Sequence, residues 1–515
     1  LPRLSQAARA CASLALALIV CAAVAAFGAG EGDDQVKPKL RQTLVPASGN
    51  RTASSATPAN SRPGEALYGS PPGSGAGETG FISTNSPIRR AKKSKKAPRP
   101  KTVAAATSAR ATPVAGAGAT TAAGRATRRP SRPAKVEEDP FGPVGVRTGG
   151  FLMKPSLELS EGYDDNPFRT AIRQGSRFTT VVAKVDTRSQ WSRHELGLDL
   201  RGAYTTYSDV SNNDRPEAEA KLRGRIDVNS TSRIELEGKA SLTTAAAGTP
   251  DSITSAVRPP NIYTYGGSLG YVQRFNRFEL GLRGSVERST YENAKLISGM
   301  IDDLSDRNYT SYGGKLRGGY EVTPGIKPFI EAGLDTRVFD HEIDFGGVRR
   351  GSDGVAVRAG VQFERKGLLT GEASAGFARR GYREPNLPDI SGLIMDSSLV
   401  WQATGLTKVT LKANSEIDET RLTGASGLFK REAKITVEHA FRRWLVGSVS
   451  AAYGLEDYRG VDRLDQRLGL SAALTYHLNR LFALKGELRH ERLHSNVPDQ
   501  DYTANIVLVG LRLQR

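Results

Sequence analysis

The chain has 515 residues, 38% of them hydrophobic, with a mean hydropathy of −0.40 and a formal net charge of +18. These values exclude a protein built from several apolar transmembrane helices, and 2 Cys and 6 His leave too little for a disulfide scaffold or a Cys-rich metal site. A transmembrane β-barrel stays open, because its alternating strands average to a polar composition.

The charge is uneven. Residues 1–140 hold 21 Lys and Arg against 8 Asp and Glu, and the rest hold 51 against 46. Residues 1–30 read as a signal peptide: Arg3 and Arg9 are followed by an apolar run from Leu14 to Ala26 and then by small residues. Both cysteines, Cys11 and Cys21, lie in this segment. Residues 31–140 are rich in Ala, Pro, Lys and Arg, as in AKKSKKAPRP at 91–100. Too little apolar material is present there to offset ordering entropy, so this segment is expected to be a disordered basic tail in the periplasm. The leading reading of its basic clusters is a solvated linker; as a binding segment behind a signal peptide they suit peptidoglycan, an acidic polysaccharide or a periplasmic export partner rather than nucleic acid.

From residue 150 to 515 the texture changes to period-2 alternation, expected to form an outer-membrane β-barrel. Leu196, Leu198, Leu200, Gly202 and Tyr204 share one face, and Asp199, Arg201 and Thr205 the other. Between 217 and 228, Ala218, Ala220, Leu222, Gly224, Ile226 and Val228 alternate with charged residues. Such alternation means strands, since a helix would mix the two faces. The runs reach about 10–15 residues, longer than ordinary strands and long enough to cross a bilayer at a tilt.

Short turns near 229–232, 275–277, 323–325, 404–406 and 478–480 alternate with longer connections at 164–176, 208–215, 247–259, 293–308, 340–351, 383–389, 420–427, 457–463 and 494–501. Eighteen strands fit this pattern (16–18), and aromatic residues at their ends are expected to form two belts at the lipid boundary, with Tyr271, Phe275, Phe278, Tyr320, Phe329, Trp401 and Phe441 by the short turns and Tyr207, Tyr309, Tyr458 and Tyr502 by the long loops. The fold class is all-β, a transmembrane antiparallel up-and-down barrel. A closed sheet of this size leaves an aqueous interior unless a loop or the tail folds in. The polar face supplies the expected pore-lining residues: Arg201, Glu217, Glu219, Lys221, Arg223, Arg225, Glu235, Lys239, Arg283, Lys315, Arg317, Arg358, Lys412, Lys485 and Arg489. Their mixed signs argue against strong ion selectivity, and pairing across strands is the competing role.

Little else carries chemistry. His490 and His494 with Glu487 and Glu491 suggest metal, but residues i and i+4 on a strand lie about 13 Å apart. Asp164, Asp165 and Asn166 suit an Asx turn better than bound Ca²⁺. The pairs Gly266-Gly267 and Gly313-Gly314 lack the helix that a phosphate loop needs and suit bends in strands. No GxSxG or distinctive His/Ser spacing is present, so no catalytic, cofactor or metal residue is expected.

The body resembles a family of outer-membrane β-barrel porins of proteobacteria. The resemblance starts at PSLELSEGYDDNPFR, Pro155 to Arg169, and runs to the closing strand NIVLVGLRLQR, Asn505 to Arg515. The final residue is Arg515 rather than the aromatic residue that many barrels carry there. The resemblance implies an envelope location, with outer-membrane lipid, lipopolysaccharide and the barrel-assembly machinery as partners; the even strand count returns the C-terminus to the side of the tail, so both termini are expected in the periplasm. The resemblance further implies a water-filled channel for hydrophilic solutes. The alternatives are a conduit for exopolysaccharide export, which the resemblance also implies, and a plugged structural barrel.

Overall fold

The computed structural model describes residues 141–515, apart from 211, 212, 254, 366 and 367. The signal peptide expected over 1–30 and the basic tail expected over 31–140 lie outside the described residues. The described chain is almost entirely long strands. The first six are β1 (Phe151–Asp164), β2 (Ser176–Ser189), β3 (Glu195–Tyr207), β4 (Arg215–Asp227), β5 (Ser232–Thr244) and β6 (Asn261–Phe275). Then come β7 (Phe278–Tyr291), β8 (Tyr309–Tyr320), β9 (Ile326–Phe339), β10 (Ser352–Arg365), β11 (Leu369–Tyr382) and β12 (Ile390–Gln402). The last are β13 (Thr407–Asp418), β14 (Gly427–Arg442), β15 (Leu445–Arg459), β16 (Arg463–His477), β17 (Phe482–Ser495) and β18 (Tyr502–Gln514).

Each strand pairs antiparallel with the next, and β18 pairs with β1 from Ser156↔Gln514 to Asp164↔Ile506. The sheet is therefore a closed 18-stranded up-and-down barrel, with the strand number expected from the turns. Closure gives both edge strands a partner, which an apolar surrounding requires. Residues 146–148 add a short strand alongside β1.

Alternation sorts the side chains. Leu282, Leu334, Val449 and Val509 stand outward, each at least 60% exposed, while Arg283, Arg317, Glu235 and Glu331 are buried. A water-soluble barrel has the opposite arrangement. The charged face is the concave one: Arg317 on β8 donates to Glu372 on β11, three strands away, at 3.1 Å. The chain thus turns apolar surface outward along the length a bilayer needs.

The two ends differ. Connections at 228–231, 276–277, 403–406 and 443–444 are short, whereas 165–175, 245–260, 292–308 and 340–351 at the other end are long. One expected long connection is a tight turn. β15 and β16 stay paired up to Tyr458↔Arg463, leaving only 460–462, with Gly460 at φ 100°. Glycine meets that left-handed turn without a Cβ clash.

The aromatic belts also need correction. Tyr271, Phe275, Phe278, Tyr320, Trp401 and Phe441 stand outward near the short turns. Tyr207, Tyr309, Tyr458, Tyr502 and Phe329 occupy inward positions and are buried. Their parity is that of the charged face, and guanidinium groups approach three of the Tyr rings: Arg215 on Tyr207, Arg337 on Tyr309 and Arg463 on Tyr458, at 5.3–5.7 Å.

Candidate functional site

The inner wall is a lattice of ion pairs set by register. Residues two apart on one strand, and diagonal residues on neighbouring strands, share the inward face and bring long charged side chains within reach. Arg201 meets Glu217 at 2.8 Å and Lys221 meets Glu219 at 2.6 Å. Arg223 pairs with Asp199, and Arg225 lies 3.2 Å from Asp227. Pairs also skip strands. Lys239 on β5 meets Glu287 on β7 at 2.5 Å, and Arg283 on β7 meets Glu235 on β5 at 2.8 Å.

Glu331 on β9 gathers cations, with Arg358 at 2.5 Å, Arg317 at 3.7 Å and Lys315 at 3.9 Å. Arg358 also reaches Asp396 on β12 at 2.7 Å. Lys485 and Arg489 both lie 2.7 Å from Glu487. Lys412 is directly opposite Lys434 in the ladder. All fifteen charged residues singled out from the sequence thus lie on the inward-parity face. The structure ties most of them to one another or to the carboxylates between them.

The residues weighed for metal are engaged elsewhere. His490 hydrogen-bonds Asn505 at 2.8 Å and His494 hydrogen-bonds Asp501 at 2.8 Å. Asp164 accepts from the Asn166 backbone N–H at 2.9 Å, the Asx turn expected there, and from Arg169 at 2.8 Å. Among the described residues no group of three or more His, Cys, Asp or Glu is placed to hold a metal ion.

At the long-loop end the wall gives way to a crossing. The β13–β14 connection, 419–426, turns inward. The Arg421 backbone N–H donates to Asp251 at 2.6 Å, and its guanidinium reaches Asp302 at 3.0 Å. Asp251 belongs to the β5–β6 connection, seven strand spacings from β13 one way round the ring and nine from β14 the other. At about 4.8 Å per spacing the perimeter path is roughly 34 Å or more. Hydrogen bonds over that separation require the segments to meet across the mouth.

Two further groups hold the crossing segment. Arg337 on β9 reaches Glu419 at 2.5 Å and the Ile417 carbonyl at 2.6 Å. Arg350 donates to the Thr420 carbonyl at 3.2 Å. Below it Phe429 and Ile417 pack on Ile390, Ile394 and Ala378. On its far side Gly248, at φ 71°, sits where a Cβ would strike the ring of Tyr502 and the backbone of Arg169. Arg169 is buried on Asp164 and Glu491.

Sequence reading reached the wall and missed this crossing. Alternation runs on through Ile417 and Phe429 as if both were ordinary outward residues, and the partners of Arg421 lie more than a hundred residues away. The one signal was general: a long loop folding in was among the expected ways of filling a barrel this wide.

Several solved structures are similar in fold. OccK2 (OpdF) of Pseudomonas aeruginosa shares 13% identity, with a TM-score of 0.38, over 71% of this chain and 99% of that one. OpdK of the same organism shares 14% identity, with a TM-score of 0.34, over 70% and 99%. OccAB4 of Acinetobacter baumannii shares 11%, with a TM-score of 0.35, over 70% and 98%. No curated protein matches by sequence. Residues 139–515 match the family described as "Putative beta-barrel porin 2", and with its closed barrel and inverted faces the chain belongs to that porin family of the outer membrane.

Proposed function

We propose that this porin-like barrel conducts small hydrophilic solutes, with Arg201, Glu217, Glu219, Lys221, Arg223, Arg225, Glu235, Lys239, Arg283, Lys315, Arg317, Arg358, Lys412, Lys485 and Arg489 lining the path. The observation that carries this reading is the inner wall itself: paired charges of both signs cover a concave face wide enough for eighteen strands. Such a wall favours water and polar solutes without a net field for either ion sign. In this reading the short turns and both chain termini face the periplasm, and the long loops face outward. The basic tail then lies on the periplasmic side, available to peptidoglycan or an acidic polysaccharide.

The crossing of the mouth by 419–426 favours a second reading, a barrel plugged at rest. A planar bilayer separates the two. Full-length protein is expected to give stepwise currents with a reversal potential near zero under a KCl gradient. A well-inserted barrel without steps would overturn conduction and leave the plugged structural reading. Conductance blocked by long acidic polysaccharide but indifferent to small sugars would move the assignment to export.

A further inference from the structure

The β12–β13 ladder stops early. Pairing runs from Gln402↔Lys408 to Asp396↔Asn414 and no further. On either side the neighbouring ladders continue, to Arg380↔Ile390 and to Asp418↔Leu428. Residues 390–395 of β12 and 415–418 of β13 are therefore paired on one flank only. The wall has a seam at its long-loop end, and the crossing segment is the continuation of the strand that left it.

The freed backbone groups have found substitutes. The Met395 N–H donates to Ser415 Oγ at 3.1 Å. The Ile417 carbonyl accepts from Arg337 at 2.6 Å. These are replacements for ladder bonds, and unpaired backbone groups at a bilayer edge are costly. Continued without a shift, the register sets Met395 opposite Ser415, Leu393 opposite Ile417 and Ser391 opposite Glu419.

The side chains suit two positions. Ile417 and Phe429 have the parity of outward residues such as Leu411 and Ile435, so in the wall they would extend the apolar band. Ile390 and Ile394 have inward parity, on the same face as Asp396, which pairs with Arg358. In the folded seat Phe429 and Ile417 lie on them and bury all four. That seat is imperfect: Glu419 Oε2, Tyr382 Oη and Arg337 Nε are buried there without hydrogen-bond partners.

We propose that the β13–β14 tip has two seats, one folded across the mouth and latched by Arg421 and Glu419, the other returned to the wall against residues 391–395 of β12. The folded seat narrows the path and the wall seat widens it. The inference about width rests on the conducting reading above; the existence of the second seat does not.

The test is a cross-link. In the full chain carrying Cys11→Ala and Cys21→Ala, Leu393→Cys and Ile417→Cys are introduced together. Paired antiparallel Cα atoms lie within disulfide reach, whereas in the folded seat Leu393 is 71% exposed outside and Ile417 is buried inside. The expected result is an oxidant-dependent disulfide in the refolded barrel, with single-channel conductance roughly doubled or more and restored by dithiothreitol. Steady current with no disulfide would overturn the second seat. A disulfide with no current would support the second seat and overturn conduction. A disulfide that leaves an existing current unchanged would overturn the gating role. If the doubly substituted chain fails to form a barrel, Arg421→Ala decides: longer dwell in a high-conductance state supports the latch, and an unchanged record overturns it.

Discussion

β10 and β11 pair along fourteen residues, from Ser352↔Tyr382 to Arg365↔Leu369, whereas β12 and β13 pair along seven. The two regions share composition and alternation. Where the ladder is complete, register alone assigns each side chain to lipid or interior. Where it stops, apolar residues of outward parity come to rest on inward ones, and guanidinium and hydroxyl groups take over the backbone bonds. Facing in this protein is thus a property of the ladder, and the alternation can be read for facing only as far as pairing lasts.

The largest effect is expected from breaking a dry pair within the complete wall. Arg317 and Glu372 are each about 8% exposed, and Arg317 also stacks 3.5 Å over the Phe329 ring. Glu372→Gln removes the nearer carboxylate and leaves Glu331, 3.7 Å away, to compensate in part, so it should cost about 3 kcal/mol, the lower end for breaking a buried pair. The Arg201–Glu217 pair has the same chemistry with Glu217 40% exposed. Glu217→Gln should cost no more than about 1 kcal/mol. Reversible unfolding in lipid vesicles measures both, and equal costs would mean that the two stretches of wall are equally wet.

Next comes the outward face. Leu334, 65% exposed, lies in the fully paired part of β9. Leu334→Arg should cost about 2–4 kcal/mol if that position lies near the bilayer midplane. Leu393→Arg at the seam, close to the long-loop end, should cost about 0–1 kcal/mol. The same vesicle titration checks the ratio, and a Leu393 cost as large as that of Leu334 would place the seam deep in the apolar layer.

This contrast also explains what was legible in the sequence. The strands were legible because period 2 is local, and their number followed from the turns. The inward positions of Arg201, Lys239 and Arg358 followed from alternation with their apolar neighbours. Tyr309 and Tyr458 were assigned to the lipid boundary by residue type, although counting parity from Lys315 or Glu456 places them inside. Asp251 and Arg421 share no period, motif or neighbourhood. Their contact exists only because a closed ring brings opposite rims within a loop's reach, which no local pattern encodes.

The smallest effect tests the rim outside both regions. The backbone N–H of Ser495 and the His494 ring hold the Asp501 carboxyl below the usual carboxylate range. The Asp501 side chain is 53% exposed on the 496–501 connection, so Asp501→Asn should change stability by no more than about 0.5 kcal/mol at neutral pH. The sign is fixed by the direction of the shift. A carboxyl more acidic in the folded barrel than in the unfolded chain stabilises at any pH above the unfolded value of about 3.9. That contribution fades as pH falls through the lower, folded value. Stability of the parent and of the Asn variant should therefore run parallel between pH 7 and 5 and converge below about pH 4. Divergence on acidification would mean that the carboxyl is held by the fold in its protonated form, as a buried rim residue would be.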